Sequence, residues 1–118
     1  RSKGLFWIAS RPNQALIWGQ AGGSLRTESA GVWWSSMPPE KRAQYLVFVE
    51  IRSQIESGWD KTFGDRKNEL VFIGQDMDEA GIRANLDACL STDEELETEI
   101  WKEGCRDEWP VNGAYAFE

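Results

Sequence analysis

Three apolar, β-prone runs crowd into the first 34 residues: "KGLFWIA" (Lys3 to Ala9), "ALIWGQAGG" (Ala15 to Gly23) and "SLRTESAGVWW" (Ser24 to Trp34). Only "SRPNQ" separates the first two, and a Gly22–Gly23 pair closes the second before the third begins. Parallel neighbours need a crossover of a dozen residues or more, and there is no room for one. The runs must therefore pair antiparallel. Pro12 and Asn13 supply the first turn. The third run alternates Leu25, Thr27 and Ser29 against Arg26, Glu28 and Ala30, the pattern of one or two half-exposed strands.

Helical signals follow. In "SSMPPEK", Pro39 suits a first helical turn and Glu40 suits the positive helix end. Phe48, Ile51, Ile55 and Trp59 fall on one stripe, and Gly58 ends the segment after Ser57. On propensity alone "YLVFVEI" also suits a strand. "ELVFIG" reads as a central strand, buried on both faces or nearly so. Asp78 is placed as an N-cap for a helix whose stripe is Ile82, Leu86, Cys89 and Leu90. Thr92 and Glu95 form a capping box for a third helix, which Gly104 stops and whose inner face is Leu96 and Ile100. The order predicts an α+β, two-layer sandwich: a mostly antiparallel sheet of about four strands, two to three helices on one face, in β-β-β-α-β-α order. The domain is expected over residues 1–99. Residues 100–118 form a C-terminal tail able to pack on it.

Composition excludes several chemistries. The 118 residues suffice for one domain, and 41% apolar content is enough for a core. No run approaches the ~20 apolar residues that span a bilayer, so no membrane partner is expected. Of the net charge of −7, residues 87–118 hold ten acids against two bases, while residues 1–86 are nearly balanced. Clustered Lys and Arg are absent, which argues against nucleic acid. The acidic third reads as a solvated face. No histidine occurs, which removes the commonest general base and the commonest transition-metal ligand. Cys89 and Cys105 lie in no metal-type spacing, and Cys89 is expected on the apolar face of its helix as a small hydrophobe. Reduced thiols fit a cytoplasmic protein. "ELVFIGQDMDEAGI" places one glycine before a helix but lacks the glycines of a dinucleotide fingerprint and the Gly-Lys-Ser/Thr of a P-loop. Asp76, Asp78 and Glu79 would repel an anion there, and they fall short of a Ca²⁺ loop. Of the adjacent Trp33 and Trp34, one is expected in the core and one outside.

"RSKGLFWIASRP", "WGQAGGSLR" with "GVWW" behind it, and "GDRKNELVFIGQDMDEAGIRANLDACL" together resemble the C-terminal domain of CobW-type GTPases, P-loop metallochaperones tied to cobalt, zinc and other metals. The similarity runs in order from Arg1 to about Glu95. The resemblance implies an N-terminal GTPase domain in the same polypeptide, carrying the P-loop, the Mg²⁺ ligands and a Cys-x-Cys-Cys metal motif. A chain starting at Arg1 without an initiator Met agrees with a piece of a longer or processed protein. GTP, Mg²⁺ and a transition metal are thus implied for the parent and no cofactor for this chain. No catalytic or metal residue carries over.

The resulting expectation is a non-catalytic interaction or regulatory module of a GTP-dependent metal chaperone for zinc or cobalt. Its partners would be the GTPase domain and a metal-receiving client protein. Contact candidates are Arg1 and Lys3, where the chain would leave the GTPase domain, Asp65 and Arg66 in a polar loop, and an outward Trp34. The alternatives are a stand-alone acidic protein-binding or weak metal-binding domain and, least of all, an enzyme using a carboxylate pair.

Overall fold

The computed structural model describes residues 1–109. Four strands form one antiparallel sheet: β1 Ser2–Phe6, β2 Gln14–Ala21, β3 Ser24–Val32 and β4 Glu69–Phe72. Their order is β3-β2-β1-β4. The α+β class, the antiparallel pairing and the β-β-β-α-β-α order all stand as the sequence predicts. One register shift at Ala15/Leu16 bulges the β2–β3 pair.

The position of "ELVFIG" differs. β4 pairs only with β1 and lies at an edge of the sheet. It is not a central strand and is not buried on both faces. Leu70 and Phe72 turn inward and are half-buried, while Val71 and Ile73 point to an exposed side. The apolar run records two apolar faces, of which one is open. β1 and β4 approach closely at Gly4, where a Cβ would overlap the Glu69 carbonyl oxygen.

The expected helix over residues 39–57 is broken. A single turn, α1 (Pro39–Arg42), is followed by an extended Tyr45 (φ −91°, ψ 117°) and then by α2 (Leu46–Ser57). α2 itself kinks at Ile51 (φ −112°, ψ 19°). Val47, Val49 and Ile51 are β-branched, and each loses side-chain freedom against the preceding helical turn. Of the predicted stripe, Phe48 is buried, Ile55 and Trp59 are half-buried and Ile51 is exposed.

α3 (Glu79–Asp87) starts where expected, with the Asp78 carboxylate accepting from the Gly81 N–H at 3.0 Å. It stops before Cys89, which is exposed rather than on an inner face; its thiol donates to the Asn85 carbonyl at 3.3 Å. α4 (Asp93–Glu97) has the predicted capping box between Thr92 and Glu95. It too is short, because Glu99 adopts left-handed φ (58°). The 3₁₀ turn that follows, Ile100–Lys102, buries Trp101 and leaves Ile100 exposed, so Trp101 takes the inner position assigned to Ile100.

The core is aromatic. Trp101 packs on Trp7 at 5.4 Å and on Phe63 at 5.2 Å between ring centres. Phe6 contacts Trp18 and Trp109 at 6.0 and 5.6 Å. Trp33 is buried. Trp34 is half-buried against Phe48 at 5.1 Å and Tyr45 at 5.7 Å. The pair is divided because Trp34 opens a 3₁₀ turn (Trp34–Ser36), not because of strand pleating.

Candidate functional site

The five contact candidates fall into two groups. Trp34, Asp65 and Arg66 meet at one corner. The loop after α2 returns tightly, with Asp60 and Gly64 exchanging backbone hydrogen bonds of 2.9 Å. Gly64 has φ +68°, and a Cβ there would overlap the Ser35 side chain. Its glycine therefore serves both conformation and close approach. That turn presents Asp65 to the backbone after β3. Its two oxygens accept from the N–H groups of Trp34 and Ser35, each at 2.8 Å.

Arg66 binds in the same place. Its Nε donates to the Pro12 carbonyl at 2.8 Å, and Nη1 to the Phe63 carbonyl and the Ser35 hydroxyl, both at 3.0 Å. Nη2 donates to the Ser36 hydroxyl at 2.9 Å. The guanidinium lies 5.2 Å from the Trp101 ring centre, within cation–π range. Burial pushes the Arg66 pKa down, opposed by the negative charge of Asp65. The group joins the β1–β2 turn, the end of β3, the Phe63 loop and the C-terminal 3₁₀ turn.

A second tie holds the segment at Asp107. Asp107 accepts from Arg11 Nε and Nη2 at 3.0 and 2.9 Å and from the Ser10 hydroxyl. The hydrogen bonds from Arg11, then Ser10, hold the Asp107 carboxyl well below the usual carboxylate range.

Arg1 and Lys3 belong elsewhere, on the open side of the sheet. Side chains alternate across a strand, so register assigns each residue to a face. One row across the open side is Val71–Lys3–Gly19–Arg26, and the next is Glu69–Leu5–Ile17–Glu28. The far end of this side meets α2, where Leu5, Ala15 and Val32 face Ile51 and Ile55 across a hollow. The near end is uncovered. Arg1, Lys3 and Arg26 line a depression of about 700 Å³ there, together with Val71 and Ile73. The opposite side carries Phe6, Leu16 and Trp18, with the Trp18 indole N–H donating to the Ser2 hydroxyl at 2.8 Å.

Gly19, Arg26, Ile17, Val71 and Ile73 are the members of this surface that sequence reading missed. A signal existed: "ALIWGQA" and "ELVFI" are apolar on both alternating faces in strands of a sheet that covers one core. The partners of Arg66 left no comparable signal, since Pro12, Ser35 and Ser36 are brought to it by folding alone.

Among the described residues, no group of three or more His, Cys, Asp or Glu is arranged to hold a metal ion. No helix of the described residues is long and apolar enough to cross a membrane.

Sequence comparison matches residues 1–90 to the family described as the cobalamin synthesis protein cobW C-terminal domain. A curated relative, zinc-regulated GTPase metalloprotein activator 1 of Dictyostelium discoideum, is 36% identical over 105 residues, covering 86% of this chain and 21% of its own length. Zinc chaperone Rv0106 of Mycobacterium tuberculosis is 34% identical over 96 residues, covering 81% of this chain and 24% of its own. The chain thus spans about a fifth to a quarter of the curated relatives it matches. No solved structure matches it. By the match over residues 1–90 and by these relatives, the chain belongs to the cobW C-terminal domain family.

Proposed function

We propose that this chain is the non-catalytic accessory module of a cytoplasmic, GTP-dependent metal chaperone delivering zinc or cobalt. The observation that carries the reading is the asymmetry of coverage: relatives named as a zinc-regulated GTPase metalloprotein activator and a zinc chaperone match over 81–86% of this chain but only 21–24% of themselves. GTP, Mg²⁺ and the transported metal belong, in this reading, to a preceding domain of the same polypeptide. The metal-receiving client is a further partner. The module reports nucleotide state by docking on the GTPase domain, and its own limits are about residues 1–99, with 100–118 as a tail tied back through Asp107.

Arg1 and Lys3 are the proposed direct contacts. Trp34, Asp65 and Arg66 contribute through the rim that their corner holds in shape, with part of Trp34 available at its surface. The test is a comparison of the full-length polypeptide with one ending before Arg1. GTP hydrolysis is expected in both, with altered rate or altered zinc transfer in the shorter form. Hydrolysis of GTP by the 118-residue chain itself, or complete indifference of the parent to its removal, would sink the reading.

A further inference from the structure

The open side of the sheet next to β4 has chemistry that the fold itself does not use. Ile17, Val71 and Ile73 are 41%, 48% and 61% exposed, and they lie on the same side of the sheet, on β2 and on β4 or its immediate continuation. Grouped aliphatic side chains left in water mark a surface that something covers. The depression exists because the row between Lys3 and Arg26 has a glycine in it. A Cβ at Gly19 would meet nothing nearer than the Arg26 carbonyl oxygen at 4.0 Å. Packing within the chain therefore does not require glycine there.

The charge is equally specific. Arg1, Lys3 and Arg26 line the depression, and no Asp or Glu does. None of the three side chains makes an ion pair among the described residues. In a chain of net charge −7, three cations with no ion pair among the described residues around one hollow call for an acidic visitor. On the strands themselves, acids on this side stand in the next row, where Glu69 is paired with Lys67 at 2.8 Å and Glu28 lies across from Ile17. The face is thus polar along its length, which orients whatever binds.

The positions of Trp109 and Arg1 narrow the occupant. Trp109, the last described residue, packs on Phe6, whose side chain belongs to the opposite side of the sheet. Arg1 lies at the rim of the open side, its backbone nitrogen 3.1 Å from the Ile73 carbonyl oxygen and its carbonyl accepting from the Ile73 N–H at 2.8 Å. Polypeptide preceding Arg1 would leave from this rim. We infer that the Val71–Lys3–Gly19–Arg26 side of the sheet is the docking face for an acidic, apolar-bearing surface of the domain preceding Arg1. This rests on the function proposed above. A patch of this size binds weakly between separate molecules, but a short tether raises the effective concentration to the order of millimolar and makes a weak face sufficient.

The test uses the full-length polypeptide with two independent readouts, GTP hydrolysis and interdomain spacing by small-angle scattering. Gly19→Val fills the hollow without a clash, Val71→Glu places an acid in it, and Lys3→Glu with Arg26→Glu reverses its charge. Each is expected to lower the docked-to-undocked ratio by about tenfold and lengthen the spacing, as loss of a central interface contact does. Rising salt is expected to act in the same direction on the wild type. Leu46→Glu, at an exposed position on α2, is the control and should leave spacing unchanged. Unchanged spacing in all three face variants overturns the inference. So does a concentration-dependent dimer abolished by Gly19→Val, which would make the occupant a second copy. So does a spacing shift produced equally by removing residues 110–118. Absence of GTP hydrolysis in the wild type overturns the proposed function alone, since spacing still scores the face.

Discussion

The corner at Asp65 and Arg66 and the open face at Lys3 and Val71 contain similar materials, cations beside large apolar groups, and treat them oppositely. At the corner every charge is consumed. Asp65 meets two backbone N–H groups, Arg66 meets four oxygens, and an indole closes one side. On the face three cations have no ionic partner among the described residues and the aliphatic groups are wet. A charge bonded to many fixed groups holds a fold together, because removing it strands its partners. A charge with none costs the fold nothing to change, and its value can be realised only in a complex.

This contrast can be broken by stability measurements on the same set of positions. The largest loss is expected for Asp65→Ala, which strands the Trp34 and Ser35 N–H groups and should cost about 3 kcal/mol in urea unfolding. A loss below about 1 kcal/mol would mean water replaces the carboxylate and the corner is not a lock. Gly64→Ala comes next at about 2 kcal/mol, from its left-handed φ and the overlap with Ser35. Equal stability of the two proteins would refute the close approach.

Asp107→Asn removes the charged tie to Arg11 and is expected to cost about 1 kcal/mol. The pH dependence gives its sign. The folded carboxyl titrates below its unfolded value, which is about 3.9, so the tie contributes fully above that value. Its contribution fades as pH falls from there toward the depressed folded pKa. The difference between wild type and Asp107→Asn should therefore shrink with acid; a constant difference between pH 7 and pH 2 would show that ionisation is not what matters. The smallest effect belongs to the open face. Val71→Thr is expected within about 0.5 kcal/mol of the wild type. Gly19→Val should be neutral or slightly stabilising, since a β-branched residue suits a strand with space above it. A large loss in either would show that the face is already packed.

How legible these regions were in the sequence differs for a physical reason. The strand runs, the Asp78 cap and the Thr92–Glu95 box are local patterns, and each reappears in the fold. Arg1 and Lys3 were contact candidates because, by the resemblance, the chain would leave the GTPase domain there. The long helix failed where local propensity was mixed: the spacing of Phe48, Ile51 and Ile55 favoured it, but the chain is extended at Tyr45, ahead of the β-branched run, and that run kinks at Ile51. Cys89 and Ile100 failed because both helices ended a turn early, and a periodic stripe carries no meaning past a helix end.

By itself the sequence determined the antiparallel pairing of the first three strands, the class of the fold, the absence of histidine chemistry and, through the resemblance carried by "ELVFIGQDMDE" and its companions, the family. Those follow from spacing, composition and local capping, which act between residues close in the chain. Only the tertiary structure decided that β4 is an edge, that Arg66 faces inward to Pro12 and Ser36, and that Lys3, Gly19 and Arg26 share one row. Strand order and register join residues far apart in sequence, and the apolar run of β4 is the same whether one of its faces is buried or both.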